Sequence, residues 1–236
     1  MKALCMNYRN YIIKRYNSQK NLELVRDKVR YKLELIKNRI PTPKPIALIS
    51  HMYEFIKINE LNPPFVMKPS RGAAGLGVVI FNDKKEKWID IQGKEWNIKK
   101  IYYHMNSILS GVFSNTEYDR ILVEEKIENK LKRISPYGIP DIRVIYFLGE
   151  PIAAMLRIPT KKSGGRSNLS RGAIGVSIDL SDGKLINIYD KQKKNLKKFP
   201  IPIKLPLWKK VLSIGRRAYE ISGLGFAGVD IVYGKE

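Results

Sequence analysis

Apolar residues return every three or four positions in some stretches of this chain and every second position in others. Leu22, Val25, Val29, Leu33 and Ile36 predict one amphipathic helix, begun by Asn21 and ended near Asn38, because Pro41, Pro43 and Pro45 cannot continue it. Helical spacing recurs over 52–58 and over 98–109, the latter through Ile101, Met105 and Ile108. A last helix carries Leu207, Val211, Ile214, Ala218 and Ile221, with Pro206 in its first turn and Gly223 closing it. Short apolar runs predict strands at 45–49, 65–67, 78–81, 121–123 and 226–232. Residues 142–147 and 152–158, joined by Gly149-Glu150-Pro151, read as a hairpin, and 173–180 with 185–189 as another. The second half is therefore mostly antiparallel sheet, and 84–94 is a polar connection.

The run FVMKPSRGAAGLGVVIF at 65–81 places Gly72, Gly75 and Gly77 in the turn between two apolar strands, with Lys68 at its root. Glycine admits positive φ and close backbone approach, so successive N–H groups can face one anion beside the lysine charge. A lysine ahead of the glycines and a strand after them exclude both the P-loop and the dinucleotide fingerprint. An ordinary glycine-rich hairpin turn would use the same residues.

Hydrophobic residues make up 44% of the 236, enough for one large domain or two smaller lobes. No apolar run approaches the length of a membrane-spanning helix, and the start MKALCMNYRNYIIKRY lacks the pattern of a secretory leader, so a cytoplasmic protein is expected. The lone Cys5 excludes an internal disulfide, and His51 and His104 leave little for zinc; a metal would be a hard ion held by oxygen. With 44 Lys+Arg against 22 Asp+Glu, the charge of +22 attracts ATP, nucleic acid, acidic peptide or anionic lipid without choosing among them. The lysine clusters at 84–87 and 191–198 read as solvated surface.

Several segments then occur in a specific order: ALCMNYRN at the start, Asp27-Lys28, VMKPSRGAAGLG at 66–77, SILSGVFS at 107–114 and VEEKI at 123–127. PDIRVI at 140–145, AAMLRIPT at 153–160, RSNLSRGAIGVSIDL at 166–180 and GLGFAGVDIV at 223–232 complete them. Through these, nearly the whole chain resembles the ATP-grasp superfamily, in its glutamate-ligase-like, sugar-transfer associated branch related to ribosomal-protein glutamate ligase. The resemblance implies an α+β ATP-grasp fold, two lobes with antiparallel sheets closing on a nucleotide cleft. It implies a basic segment at 1–20, a helical entry segment with Lys28 at 21–59, a glycine-flap lobe at 60–123 and a sheet lobe at 124–236.

The resemblance also implies ATP and Mg2+. Lys28 and Lys68 would contact the α- and β-phosphates, and the flap, with Ser70, Gly72, Gly75 and Gly77, would lie over the β- and γ-phosphates. Glu124 and the Glu125 carbonyl would accept from the adenine amino group, the Ile127 N–H would donate to the ring, and Asp141 would face the ribose or orient the site. Arg143 and Arg157 would meet the γ-phosphate and the reacting carboxylate; Asn168, with Arg171 beside it, would join the phosphoryl environment; Asp230 would ligate magnesium. An arginine fork suits a planar carboxyl or phosphoryl group, and a guanidinium inside the apolar runs IRVIYF and AAMLRI needs an anion, from substrate or from structure.

Carboxylate-amine ligation through an acylphosphate is the reaction this implies, with small-molecule or peptide carboxylate and amine as partners. Nucleic acid is not an expected partner, although the net charge would admit one. A kinase-like phosphotransferase in sugar or cell-envelope metabolism would share the nucleotide site, and a non-catalytic basic module for nucleic acid or acidic polymer would share the charge. The family pattern runs on to a Glu-x-Asn motif that completes the magnesium site, whereas this sequence ends at Glu236, which is not assigned that role. The expectation is a truncated piece or an incomplete metal site.

Overall fold

The computed structural model describes residues 5–114, 116, 118–190, 195–200 and 202–234, which group into two compact units. The first comprises the described parts of Met1–Arg26, Arg30–Pro41 and Asn129–Glu236; the second comprises Asp27–Val29 and Thr42–Glu128. These limits differ from the expected lobes, since the division falls after 128 rather than 123 and most of the N-terminal helices group with the C-terminal sheet.

Three helices open the chain: α1 (Met6–Tyr16), α2 (Gln19–Arg26) and α3 (Lys28–Lys37). The single helix expected over 21–38 is thus interrupted at Asp27, whose carboxylate accepts from the Val29 N–H at 3.1 Å and caps α3. A short carboxylate side chain favours such a cap over a helix interior. With the helix restarted there, the apolar stripe loses its register: Val29 is buried, but Leu33 and Ile36 are 58% and 44% exposed. At the end of α1, Asn17 docks by a reciprocal pair with Phe226, donating to its carbonyl at 2.8 Å and accepting from its N–H at 2.9 Å.

In the second unit β1 (Pro45–Ile49) precedes a 3-10 turn and α4 (Phe55–Asn59), then β2 (Phe65–Pro69) and β3 (Val79–Lys84). Next come β4 (Trp88–Asp90), β5 (Glu95–Trp96), α5 (Ile98–Leu109) and β6 (Ile121–Glu125). They form an antiparallel sheet in the order β1-β6-β2-β3-β4-β5. The glycine turn joins β2 to β3, with Phe65 opposite Phe81 and Met67 opposite Val79. Helix α5 has the expected limits; Asn97 caps it, accepting from Lys100 N–H at 2.9 Å, and Ile101, Met105 and Ile108 are buried. Strand β4 stands where a polar connection was expected. Trp88 and Trp96 pack edge-on against Phe81 at 5.2 and 5.7 Å, so this strand is specified by cross-strand aromatic contact rather than by its own lysine-rich surroundings.

The first unit adds β7 (Asp141–Phe147), β8 (Glu150–Ile158), β9 (Ile174–Ile178), β10 (Leu185–Asp190), β11 (Asn195–Lys198), α6 (Trp208–Ser222) and β12 (Phe226–Ile231). The sheet is again antiparallel, in the order β11-β10-β9-β8-β7-β12. Strict alternation in β7 sends Ile142, Val144 and Tyr146 into the core and Asp141, Arg143 and Ile145 to the opposite face. Helix α6 covers the core face, and Gly215 lets it approach: a Cβ there would lie 2.5 Å from the Tyr146 hydroxyl oxygen. Gly223 ends α6 at φ 63° as predicted. Of the lysine cluster at 191–198, residues 191–194 lie outside the described residues, and 195–198 form β11.

Candidate functional site

Two groups of charged side chains stand out, one in each unit. In the second unit, Lys28 begins α3 and Lys68 lies in β2 at the root of the glycine turn. The Lys28 ammonium donates to the Ser70 carbonyl at 3.3 Å and also to the Gly72 carbonyl, while Lys68 is ion-paired with Glu124. Burial, and next the nearby Lys68 charge, push the Lys28 ammonium down to about 8, against the opposing pull of Asp119, Asp27 and Glu124. Behind the lysines sits a buried frame of Asp27, which was quoted without a role, Ser70, which was expected over the phosphates, and Arg120, which was not singled out. Asp27 accepts from the Ser70 hydroxyl at 2.8 Å and from Arg120 at 2.6 Å, and Ser70 N–H donates to the Arg120 carbonyl at 2.8 Å. Ser70 is therefore fully buried and holds Asp27 rather than presenting its hydroxyl at the surface.

The turn itself is fixed by packing. Ala74, Gly75 and Gly77 have φ of 53°, 69° and 70°, and a Cβ on Gly77 would meet the Phe113 ring at 2.6 Å. Gly72 is buried against Pro69, where a Cβ would collide with its ring. His104 on α5 donates from Nε2 to the Gly77 carbonyl at 2.9 Å, and burial lowers its pKa, keeping the ring neutral. Neither His104 nor Phe113 was singled out from sequence; the register of α5 and the SILSGVFS segment were the available signals. Two ammonium groups at the root of a rigid, glycine-lined turn fit a triphosphate.

At the end of β6, Glu124 is buried, and Glu125 is exposed with its carboxylate accepting from Lys44 N–H at 2.9 Å. Ile127 follows outside the strand, and among the described residues its N–H has no hydrogen-bond partner. Such a donor is available to a ring nitrogen.

In the first unit, strand register brings four residues to one sheet face: Asp230 lies opposite Arg143, and Asp141 opposite Arg157. Arg143 donates through Nε and Nη2 to both Asp230 oxygens at 2.7 and 2.6 Å. Arg157 does the same to Asp141 at 2.5 and 2.6 Å, and its Nη2 also reaches Asp230 at 2.8 Å. Burial raises the Asp141 pKa, opposed by the Arg157 hydrogen bonds. Both guanidiniums are thereby aimed through Nε and Nη2, and among the described residues neither Nη1 has a partner. Asn168 stands apart from this lattice, immediately before a 3-10 turn in the β8–β9 connection that also carries Arg171.

Magnesium does not fit these residues as arranged. Both Asp230 oxygens and both Asp141 oxygens accept from guanidinium groups, so two carboxylates are neutralised by two arginines. Mg2+ demands oxygen ligands in near-octahedral array, and among the described residues no three His, Cys, Asp or Glu side chains group around a metal position.

Among solved structures, the chain is similar to D-alanine–D-alanine ligase from Bacillus anthracis at 18% identity and a TM-score of 0.50, covering 93% of this chain and 58% of that one. It is also similar to VanG D-Ala:D-Ser ligase from Enterococcus faecalis at 17% identity and a TM-score of 0.52, covering 92% of this chain and 51% of that one. The chain thus spans between about half and three fifths of these enzymes, and at such identities the likeness concerns the fold. No curated protein sequence matches the chain. The sugar-transfer associated ATP-grasp family matches residues 7–236, and together with the paired antiparallel sheets this establishes that the chain belongs to the sugar-transfer associated ATP-grasp family.

Proposed function

We propose that the protein is an ATP-dependent carboxylate-amine ligase. A carboxylate oxygen attacks the γ-phosphorus of ATP, the bond to the bridging oxygen breaks, and ADP leaves with the electron pair. An amine then attacks the acyl carbon of the resulting acylphosphate, expels inorganic phosphate, loses a proton and leaves an amide. Lys28, Lys68 and the turn bearing Gly72, Gly75 and Gly77 hold the phosphates by charge and backbone N–H groups. Glu124, Glu125 and Ile127 take the adenine edge, and Asp141 orients Arg157. Arg143 and Arg157 receive the transferring phosphoryl group and the carboxylate through their Nη1 ends, with Asn168 nearby in chain order. Asp230 serves here as the positioning carboxylate of both arginines, and no step runs through a metal on it.

The observation that carries this reading is the aimed pair of arginines, each fixed by a carboxylate through Nε and Nη2 with its Nη1 open. Family membership supports the nucleotide half. The test is thermal unfolding with and without ATP as its magnesium salt. Ligand at one hundred times its Kd stabilises by about 2.7 kcal/mol, and Lys68→Ala should abolish that upshift. ADP release matched one-to-one by amide then identifies the ligase, whereas ADP release matched by a phosphorylated hydroxyl means a phosphotransferase.

A further inference from the structure

Two connections in the first unit, residues 129–140 ahead of β7 and 159–173 after β8, carry seven Lys and Arg residues and no Asp or Glu. About a third of the chain's net charge of +22 is thus placed in about a ninth of its length. The stretch 191–219 is as basic, with ten Lys and Arg residues and no Asp or Glu, so charge density alone does not single out these connections; their place in the fold does. Lys130, Lys132 and Arg133 lie on the first connection; four more cations lie between Lys161 and Arg171 on the second.

The two connections form one built surface. Their backbones touch where Gly138 meets the Gly165 carbonyl, leaving no room for a Cβ, and the Ser167 hydroxyl donates to the Ile139 carbonyl at 2.9 Å. Asn129 staples the first by donating to the Ser135 and Gly138 carbonyls at 2.7 and 2.9 Å. In the second, Thr160 donates to the Gly172 carbonyl at 2.9 Å and its N–H donates to the Ser163 hydroxyl at 2.9 Å. Lys132, Arg133 and Lys161 are exposed. Both connections leave the sheet at the end where Asp141 lies opposite Arg157, so the cationic surface borders the aimed arginines. Of the acids that flank the first connection in sequence, Glu128 and Asp141, the latter is paired with Arg157.

We infer that this surface binds the carboxyl substrate and that the substrate is an acidic peptide segment, carrying several carboxylates beside the one that reacts. The assignment rests on the ligase reading above, which requires a carboxylate at the arginines. Nucleic acid suits the surface less well, because base stacking needs interleaved aromatics and Tyr137 is the only aromatic in the two connections.

The test measures fluorescence anisotropy of labelled hexaglutamate, hexaglutamine and oligothymidylate with the full chain, at low and raised salt. Hexaglutamate should bind more tightly than hexaglutamine, and salt should weaken it. The combined variant Lys132→Glu, Arg133→Glu, Lys161→Glu should bind it about tenfold more weakly or worse. Its thermal upshift with magnesium ATP should be unchanged, which shows that the variant folds. Equal hexaglutamate affinity in variant and unmodified chain overturns the proposal, as does absence of hexaglutamate binding while the ATP upshift is present. Tighter binding of oligothymidylate, lost in the same variant, overturns it in favour of a nucleic-acid surface. If the unmodified chain shows no ATP upshift, the ligase reading fails, and with it the designation of the peptide as substrate, whatever hexaglutamate does.

Discussion

At the root of the glycine turn, Lys28 rests on two backbone carbonyls and Lys68 on one carboxylate, whereas in the other unit Arg143 and Arg157 are each matched by an aspartate through two parallel hydrogen bonds. Both groups are cationic, yet their physics differs. An ammonium is a compact charge that loses its proton readily when buried, and Lys28 has been pushed down to about 8. A guanidinium stays charged, and its planar fork takes a direction from the carboxylate that holds it. Lys28 can therefore respond to pH, while the arginines are fixed in advance.

The largest effect should come from the frame beneath the lysines. Asp27→Ala removes the cap of α3, the acceptor for Ser70 and the buried partner of Arg120 together. We expect a loss of roughly 3–5 kcal/mol in urea unfolding, with Asp27→Asn recovering the capping share. An alanine variant as stable as the unmodified chain would remove Asp27 from the account of how Lys28 is placed.

On the arginine side, Arg157→Lys keeps the charge and loses the fork, and because Arg157 is buried the expected cost is roughly 1.5–3 kcal/mol by the same measurement. Equal stability of the lysine variant would show that direction, which separates the two groups, has no energetic basis at this position.

Next in size is the titration of Lys28. Its folded pKa lies below the ordinary 10.5, so the folded chain gives up this proton first. This group then raises stability as pH climbs from about 8 toward 10.5, where the unfolded chain binds more protons. Nucleotide affinity should move the other way, falling by up to about tenfold per pH unit above about 8 if the ammonium is required. Titration calorimetry with ATP on both sides of that pH, on the unmodified chain and on Lys28→Arg, checks it; the arginine variant should be flat. A slope shared by both variants would assign the titration to another group.

Smallest is Arg143→Lys, because the Arg143–Asp230 pair is 38% and 40% exposed and screened by solvent. About 0.2–1 kcal/mol is expected. A cost as large as that of Arg157→Lys would mean the lattice acts as one unit rather than as a buried pair with an exposed neighbour.

Much of this molecule is set by local pattern. The limits of α5, the β2–β3 hairpin, the β7–β8 hairpin and the Gly223 stop all follow from spacing that a few consecutive residues carry, since period and turn chemistry act at short range. The glycine turn with Lys68 at its root was legible for the same reason. Tertiary structure decided what depends on residues far apart in the chain. Asp230 meets Arg143 across 87 positions, and that meeting makes it an arginine partner whose two oxygens both accept from guanidinium donors. Asp27 reaches Arg120 across 93 positions, which turns an ordinary helical aspartate into a buried anchor and breaks the helix there. Strand β4 likewise exists because Phe65 and Phe81 supply rings for Trp88 to pack against, a stabilisation no local periodicity encodes. Short-range steric and hydrogen-bond preferences thus determined the elements, and long-range pairing of charges and rings decided what each element holds in place.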